Sequence, residues 1–564
     1  MDSLPAELIE AIGQYLDGPT LASSLRVCRF WFHSLSPLIW SHISKTQWHR
    51  TGFPIRQVFD AYDDSPLRPK LLQVRFLEWA ANSDLKEVSA ITIRKEIARS
   101  RLVQLLRMAV NVRSLELRMP IAGEELELLR SIAELRHLRR LRIEATGLDM
   151  FAISLQDMND TFSNLETLES AGHWLNISLG SWDCPQEAQQ WRMKRLSVGY
   201  YALPILWHCE NLRELEIRIF EGFGFQRSEK RSLRPLQACR NLEVLKIHRY
   251  GRQDTLLDLV ETIGTLWQLR VLSFSILDFT FFSLLCRTGT GPALVKGDDS
   301  HDHRQVEHQE EPGRRSTRPP DVEGDYDRDP LPLPLLEDLT IISVDVGDTS
   351  PSTIERLSNL FFNILKTRPL LKGYQIQGFN FCPWDIFAQP GRELEDGWAC
   401  VRLETLRLQF KSLDPRRMNS KEKRYRIWQP IYRQLGQLSR LRSLMIQCWS
   451  LEKGVDVGIL ELAQRKSTTA GESGSFTALS NNGGRRPPTN DTVPPKLKAR
   501  LAELNSLYLS DSKGNTWSKT ELEILLALFP KLKDLNLRPL NPGNGKEVQK
   551  WLKEWKRTDI KFVY

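Results

Sequence analysis

Cysteine is scarce and unpaired in this sequence. Eight thiols (Cys28, Cys184, Cys209, Cys239, Cys286, Cys382, Cys400 and Cys448) are spread over 564 residues with no C-x-x-C pair. That argues against a disulfide-stapled secreted repeat and for reduced thiols inside a cell. Long apolar runs are missing too. The longest, around Leu522 to Phe529, is too short to cross a bilayer. The opening Met1-Asp2-Ser3-Leu4-Pro5 shows no basic region followed by an apolar stretch, so no signal peptide is read there. The expectation is a cytoplasmic or nuclear protein with no membrane partner. Charge of one sign is weak as well. A net +8 and a pI of about 9.0 are thin over 65.2 kDa, which argues against nucleic acid as the main partner.

Patterns that carry chemistry are equally sparse. Gly222-x-Gly224 and Gly289-x-Gly291 lack the third glycine and the lysine of phosphate-binding loops. Asp325-x-Asp327-x-Asp329 places Pro330 where a calcium loop needs its turn glycine. His301-x-His303 and His308 sit in a charged, Gly- and Pro-rich stretch with nothing rigid to orient the imidazoles, so a solvated loop is the better reading. No Ser, His and Asp set comes with a nucleophile elbow. The sequons at Asn159, Asn176 and Asn490 are coincidental in an intracellular protein. No enzyme, cofactor or metal is expected.

What the sequence does have is a recurring phrase: apolar, two polar, apolar, one polar, apolar. Leu212-Arg-Glu-Leu215-Glu-Ile217 is a clear copy. Others lie at 112–117, 138–143, 165–168, 193–198, 242–247, 269–274, 336–341, 403–408, 441–446, 504–509 and 532–537, with a poorer one at 371–376. The spacing, commonly about 26–30 residues, is that of a stacked repeat. One unit cannot bury its own apolar edge, so neighbours must share a core. The last two apolar positions are two apart and point to one face of a short strand, with the residue between them on the other face. Ser352-x-x-Glu355 and Ser518-x-x-Glu521 read as capping boxes opening helices. Strand then helix, repeated, implies a parallel sheet. The phrase resembles that of leucine-rich repeat proteins, although the Asn or Cys usual after the strand is mostly missing.

Residues 2–43 differ from the rest. Leu8, Ile9, Ile12 and Leu16 recur at helical spacing, Asp17-Gly18-Pro19 breaks that helix, and two further helical segments follow. Leu4-Pro5-x-Glu7-Leu8, then Leu16, Leu21, Leu25, Val27-Cys28-Arg29-x-Trp31 and Leu38-x-Trp40-x-x-Ile43, resembles the F-box motif over its whole length. The resemblance implies docking on a Skp-type adaptor and, through it, on a cullin and a ring-finger protein. It assigns Leu4, Pro5, Leu8, Leu16, Leu21, Leu25, Val27, Cys28 and Trp31 to the adaptor surface or its support.

The expected fold class is therefore α/β: a small three-helix F-box over 2–43, then a helical linker and cap over 44–110, with helices near 70–80 and 92–109. A leucine-rich repeat solenoid, a horseshoe with a parallel inner sheet and outer helices, follows over 111–564. Stretches 288–333 and 466–497 are too polar to order and read as loops. The concave face is the expected site for a protein substrate, through Arg118, Arg142, Arg218, Lys246, Arg407 and Tyr508. An acidic or phosphorylated ligand would suit the first four, though Glu116, Glu169 and Glu216 dilute that field. The function implied is the substrate-recognition subunit of an SCF-type ubiquitin ligase. A scaffold without a ubiquitination role is the alternative, and a basic-face nucleic-acid binder is a weaker one.

Overall fold

The structure, a computed structural model, describes residues 4–43, 71–80, 102–119, 126–145, 151–153, 159, 162–171, 175–177, 190–220, 233–250, 259–278, 333–345, 361–377, 398–409, 431, 434–447, 501–540 and 542–564. Both expected loops, save the buried Leu333 at the end of the first, the histidine cluster, the acidic triplet and the Ser352 capping box lie outside them. The chain divides into two compact units, 1–276 and 277–564.

The first unit opens with helices α1 (Ala6–Gly13), α2 (Gly18–Ser24) and α3 (Arg29–Ser41). Strands β1 (His42–Ile43), β2 (Phe76–Ala80), β3 (Ser114–Met119), β4 (Arg140–Ala145), β6 (Thr167–Ala171), β8 (Arg195–Gly199), β9 (Glu214–Phe220), β10 (Val244–Tyr250) and β11 (Val271–Asp278) lie side by side in chain order, all parallel. Two short strands, β5 (Phe151–Ile153) and β7 (Leu175–Ile177), form a separate parallel pair. In the second unit β12 (Asp338–Asp345), β13 (Gly373–Ile376), β14 (Thr405–Gln409), β15 (Ser443–Gln447), β16 (Ser506–Asn515), β17 (Asp534–Leu540) and β18 (Lys561–Val563) do the same. Each strand added beside the one before it, in an open parallel sheet, is the α/β solenoid that the phrase implies.

The phrase works through a repeated hydrogen-bond fork. The carbonyl just ahead of each strand accepts from two consecutive amides of the next repeat: Arg113 from Arg139 and Arg140, Arg139 from Glu166 and Thr167, Glu404 from Arg442 and Ser443. The register is fixed there, and the alternation follows: Leu406 and Leu408 buried, with Thr405, Arg407 and Gln409 half-buried on the other face. Several neighbouring fork residues carry opposite charges. Glu166 lies 4.0 Å from Arg139 and 2.9 Å from Lys194. Arg213 pairs with Glu243, Lys372 with Glu337, and Arg442 with Glu404. Each exposed pair stabilises by less than about 1 kcal/mol. Lys194 nevertheless holds the Glu166 carboxyl below its usual range, ahead of smaller contributions from Arg139 and Arg192.

A tight turn precedes most of the phrases, closed by an amide that reaches back three residues: Leu138 to Leu135, Leu212 to Cys209, Leu242 to Cys239, Leu403 to Cys400. Three thiols that look scattered in the sequence thus occupy one repeat position, where Leu135, Phe162, Leu438 and Phe529 stand in other repeats. All three are buried. Burial pushes the Cys400 thiol up to about 12 and raises Cys209 and Cys239 as well. A folded-state alkylation mapped by mass spectrometry is expected to leave these three thiols unlabelled while the half-buried Cys28 reacts. Rapid labelling of the three in the folded chain would contradict this packing.

Three expectations are revised, those for 70–80, for the returns and for the phrase at 371–376. Residues near 70–80 were read as helical, but Phe76–Ala80 is β2, because Val74-Arg-Phe-Leu77-Glu-Trp79 is itself a copy of the phrase and pairs in register with β3. Of the helix read over 92–109, residues 102–108 are helical and the earlier part lies outside the described residues. The returns are not uniformly α-helical either. The α-helix α4 (Leu126–Ala133) serves β4, but Tyr200–His208 and Arg234–Ala238 are 3-10 helices carrying Pro204 and Pro235. The 3-10 geometry rises about 2.0 Å per residue and spans the width of a short repeat with fewer residues. The phrase at 371–376 is poor only on paper. A Cβ on Gly373 would run into the Asp338 carboxylate, and Tyr374 fills the leucine position with its ring stacked on Phe361 at 5.1 Å.

Candidate functional site

Three short helices are held together by one small core. Ile9, Leu21 and Leu35 are buried, with Leu16, Leu25, Trp31 and Leu38 packed against them. Gly13 allows the approach of α1 to α3, since a Cβ there would meet Leu35 and Leu38 at about 2.5 Å. Asp17 caps α2 by accepting from the Thr20 amide at 3.0 Å, and the Thr20 hydroxyl, followed by that amide, holds its carboxyl below the usual range. The break read at Asp17-Gly18-Pro19 is thus the start of the second helix.

So small a core leaves much apolar surface outside. Leu8, Ile12 and Tyr15 recur at helical spacing and are 51%, 43% and 91% exposed, and Leu4 precedes them. Val27, Phe30 and Phe32 are exposed at the start of α3. Apolar side chains clustered this way on a surface mark a docking site. The nine residues assigned from the motif therefore divide. Leu4, Pro5, Leu8 and Val27 are exposed; Leu16, Leu25, Cys28 and Trp31 are half-buried. Leu21 is a core residue and offers no contact surface. Ile12, Tyr15, Phe30 and Phe32 were not assigned. Their signal was available in the helical period of α1 for the first two, and in the aromatic crowding of 30–32 for the others.

The outward face of the strands is the second candidate. In the first unit it is a lattice of charge. Arg118 pairs with Glu144 at 3.1 Å, Arg142 approaches Glu169 at 3.8 Å, and Arg140 reaches the same carboxylate at 3.2 Å. Arg218 donates two hydrogen bonds to Glu216, and His248 lies 3.5 Å from that carboxylate. Burial holds the His248 imidazole below its usual range against the pull of Glu216. Lys246 stands opposite Glu216 in the ladder and is exposed. Three of the four cations read as anion-binding residues are thus ion-paired with a carboxylate, and Lys246 faces one across the ladder. In the second unit Arg407 and Tyr508 lie in one register row, with Met445 between them.

Comparison with known proteins bears on the first candidate. Residues 1–46 match one family. It is the F-box-like family. No curated protein is similar to the chain at a significant level. Among solved structures the chain is similar to the one described as "Crystal structure of PEPR1-AtPEP1", with 11% identity and a TM-score of 0.24, covering 77% of this chain and 52% of that one. The chain spans about half the length of that structure's chain.

The F-box-like domain is a protein-interaction module, and its exposed apolar residues are of the kind a partner covers. Among the described residues no group of His, Cys, Asp and Glu is placed to hold a metal ion, and no helix is long and apolar enough to cross a membrane.

Proposed function

We propose that this chain is the target-recognition subunit of an SCF-type ubiquitin ligase. The F-box-like domain grips a Skp-type adaptor, and through it a cullin and a ring-finger protein. The solenoid, read as leucine-rich repeats, holds a protein target on the outward face of its strands. The observation that carries this reading is an F-box-like domain whose apolar side chains Leu8, Ile12, Tyr15 and Val27 face solvent, fused to a stacked-repeat scaffold. The chain needs no catalytic group for that task. Holding a target beside a charged conjugating enzyme raises the effective concentration of its lysines. Its place of work is the cytoplasm or nucleus.

The test is purification of the full chain from cells, with immunoblots for a Skp-type adaptor and a cullin. Both are expected, with a ubiquitinated client that accumulates when the F-box-like domain is disabled. Adaptor without cullin or client turnover would favour the scaffold reading, and absence of adaptor would overturn both.

A further inference from the structure

The two units differ in how their strand faces handle charge. In the first, as described above, carboxylates stand beside most cations. In the second, the central row of the ladder runs Thr340, Gln375, Arg407, Met445, Tyr508, Asn536, all half-buried. The row two residues further along the strands holds Gln377, Gln409, Gln447 and Arg538. Neither row contains an acid; the row two residues earlier carries Asp338 and Asp534 on β12 and β17, with Gly373, Thr405, Ser443 and Ser506 between them, and no ion pair joins Arg407 to any described residue.

A half-buried guanidinium with no carboxylate paired to it among the described residues is an unfilled site. It has lost part of its hydration and carries five donors in a planar fork. We propose that this face binds an extended, acidic segment of a protein partner, with an aspartate or glutamate seated on Arg407. The proposal rests on the reading that the strand face holds the target, and it names the chemistry of that target.

Dimensions and neighbours favour a peptide. Adjacent strands lie about 4.8 Å apart, so the row from Gln375 to Tyr508 spans roughly 14 Å, the length of about four extended residues. The amides of Gln375 and Gln447 both donate and accept, matching the peptide groups of an extended chain. Met445 and Tyr508 supply adaptable and rigid apolar contact beside the cation. A phosphate carries nearly twice the charge of a carboxylate and is recognised by clusters of arginine, and nucleic acid needs a track of cations. One half-buried arginine in the central row, with Arg538 exposed and three strands away, fits a single carboxylate.

The experiment uses the full chain and a phage-displayed library of random dodecapeptides, selected on wild type, Arg407→Gln and, as a control in the first unit, Arg142→Gln. Wild type and Arg142→Gln are expected to enrich peptides containing Asp or Glu, and Arg407→Gln is expected to lose that enrichment. A selected peptide, synthesised with its acid and with the matching amide, should bind wild type roughly tenfold more tightly in the acidic form, the size of one charge-assisted hydrogen bond. Arg407→Lys should restore part of the difference. Peptides selected without acidic preference, acidic peptides bound equally by Arg407→Gln, or retention of an oligonucleotide in place of peptide would each overturn the proposal. Adaptor recovery, measured on the same preparations, keeps the two readings apart. Acidic peptides bound by a chain that recovers no adaptor sink the ligase reading alone, and adaptor bound without acidic preference sinks this inference alone.

Discussion

Replacing Leu8 with Asp is expected to lower affinity for a Skp-type adaptor by roughly a hundredfold or more, with little change in thermal stability. The side chain is 51% exposed and contributes little to the helical core. Surface substitutions of this kind usually shift stability by no more than about 0.5 kcal/mol. Docking of the adaptor on this surface, as proposed, would bury the position among apolar groups and leave a carboxylate without a partner, and truncating such anchors costs about 2 kcal/mol or more. Val27→Asp, at a position 58% exposed, should behave alike. The comparison that gives the result meaning is Leu35→Ala. Leu35 is buried against Ile9 and Leu21, so its loss should unfold the three helices and remove binding for a different reason. Binding by titration calorimetry and helicity by circular dichroism separate the two. Adaptor affinity unchanged in both Leu8→Asp and Val27→Asp would show that this surface is not where the adaptor docks.

Trp191→Ala is expected to be the most damaging single change in the first unit, by about 3–5 kcal/mol. The indole is 1% exposed. It lies stacked on buried His208 at 5.2 Å and edge-on to Phe162 at 6.5 Å. Its Nε1 donates to Asn159 Oδ1 at 2.9 Å, so truncation opens a cavity and also leaves an acceptor without its donor. The backbone tie from the Trp191 amide to the His208 carbonyl, at 2.7 Å, survives the change. Repeats contact their neighbours and little else, so the damage should spread locally and not through the whole chain. Hydrogen exchange should report it as lost protection in β6, β8 and β9, and much less in β12 to β17. Trp191→Phe, which keeps most of the ring, should recover over half of the loss. Uniform loss of protection in both units would contradict the nearest-neighbour picture.

The sequence made the strands legible because their period survives every other change. All thirteen quoted copies of the phrase lie on strands, including the one with Tyr374 in a leucine position. The reading failed where the phrase was written in unusual letters. Val74, Leu77 and Trp79 carry it in β2, but they stand beside Leu71 and Leu72, and the run looks helical. The 3-10 returns were also hidden, since an apolar stretch such as Tyr200–His208 suits a short α-helix until the width of its repeat is known. For the helical domain the motif supplied residue types but could not sort them. Leu8 and Leu21 are both leucines in the same pattern, and only packing decides that one is 51% exposed and the other a core residue. On the strand face the limit was electrostatic. Arg142 and Arg407 are equivalent in sequence, and the difference is that Glu169 stands beside the first on the neighbouring strand while Gln375 and Met445 flank the second.

The opposite charges ahead of some strands give those repeats an address. Excising the tile that begins at Glu166 would bring Arg139 against Lys194, and excising the one that begins at Glu404 would set Lys372 against Arg442. Either deletion turns an attraction into a repulsion at the point where the two chains fork together, although the apolar core would still match leucine to leucine. The tiles look interchangeable from inside the stack, yet at these two forks their polar rim favours the native neighbour.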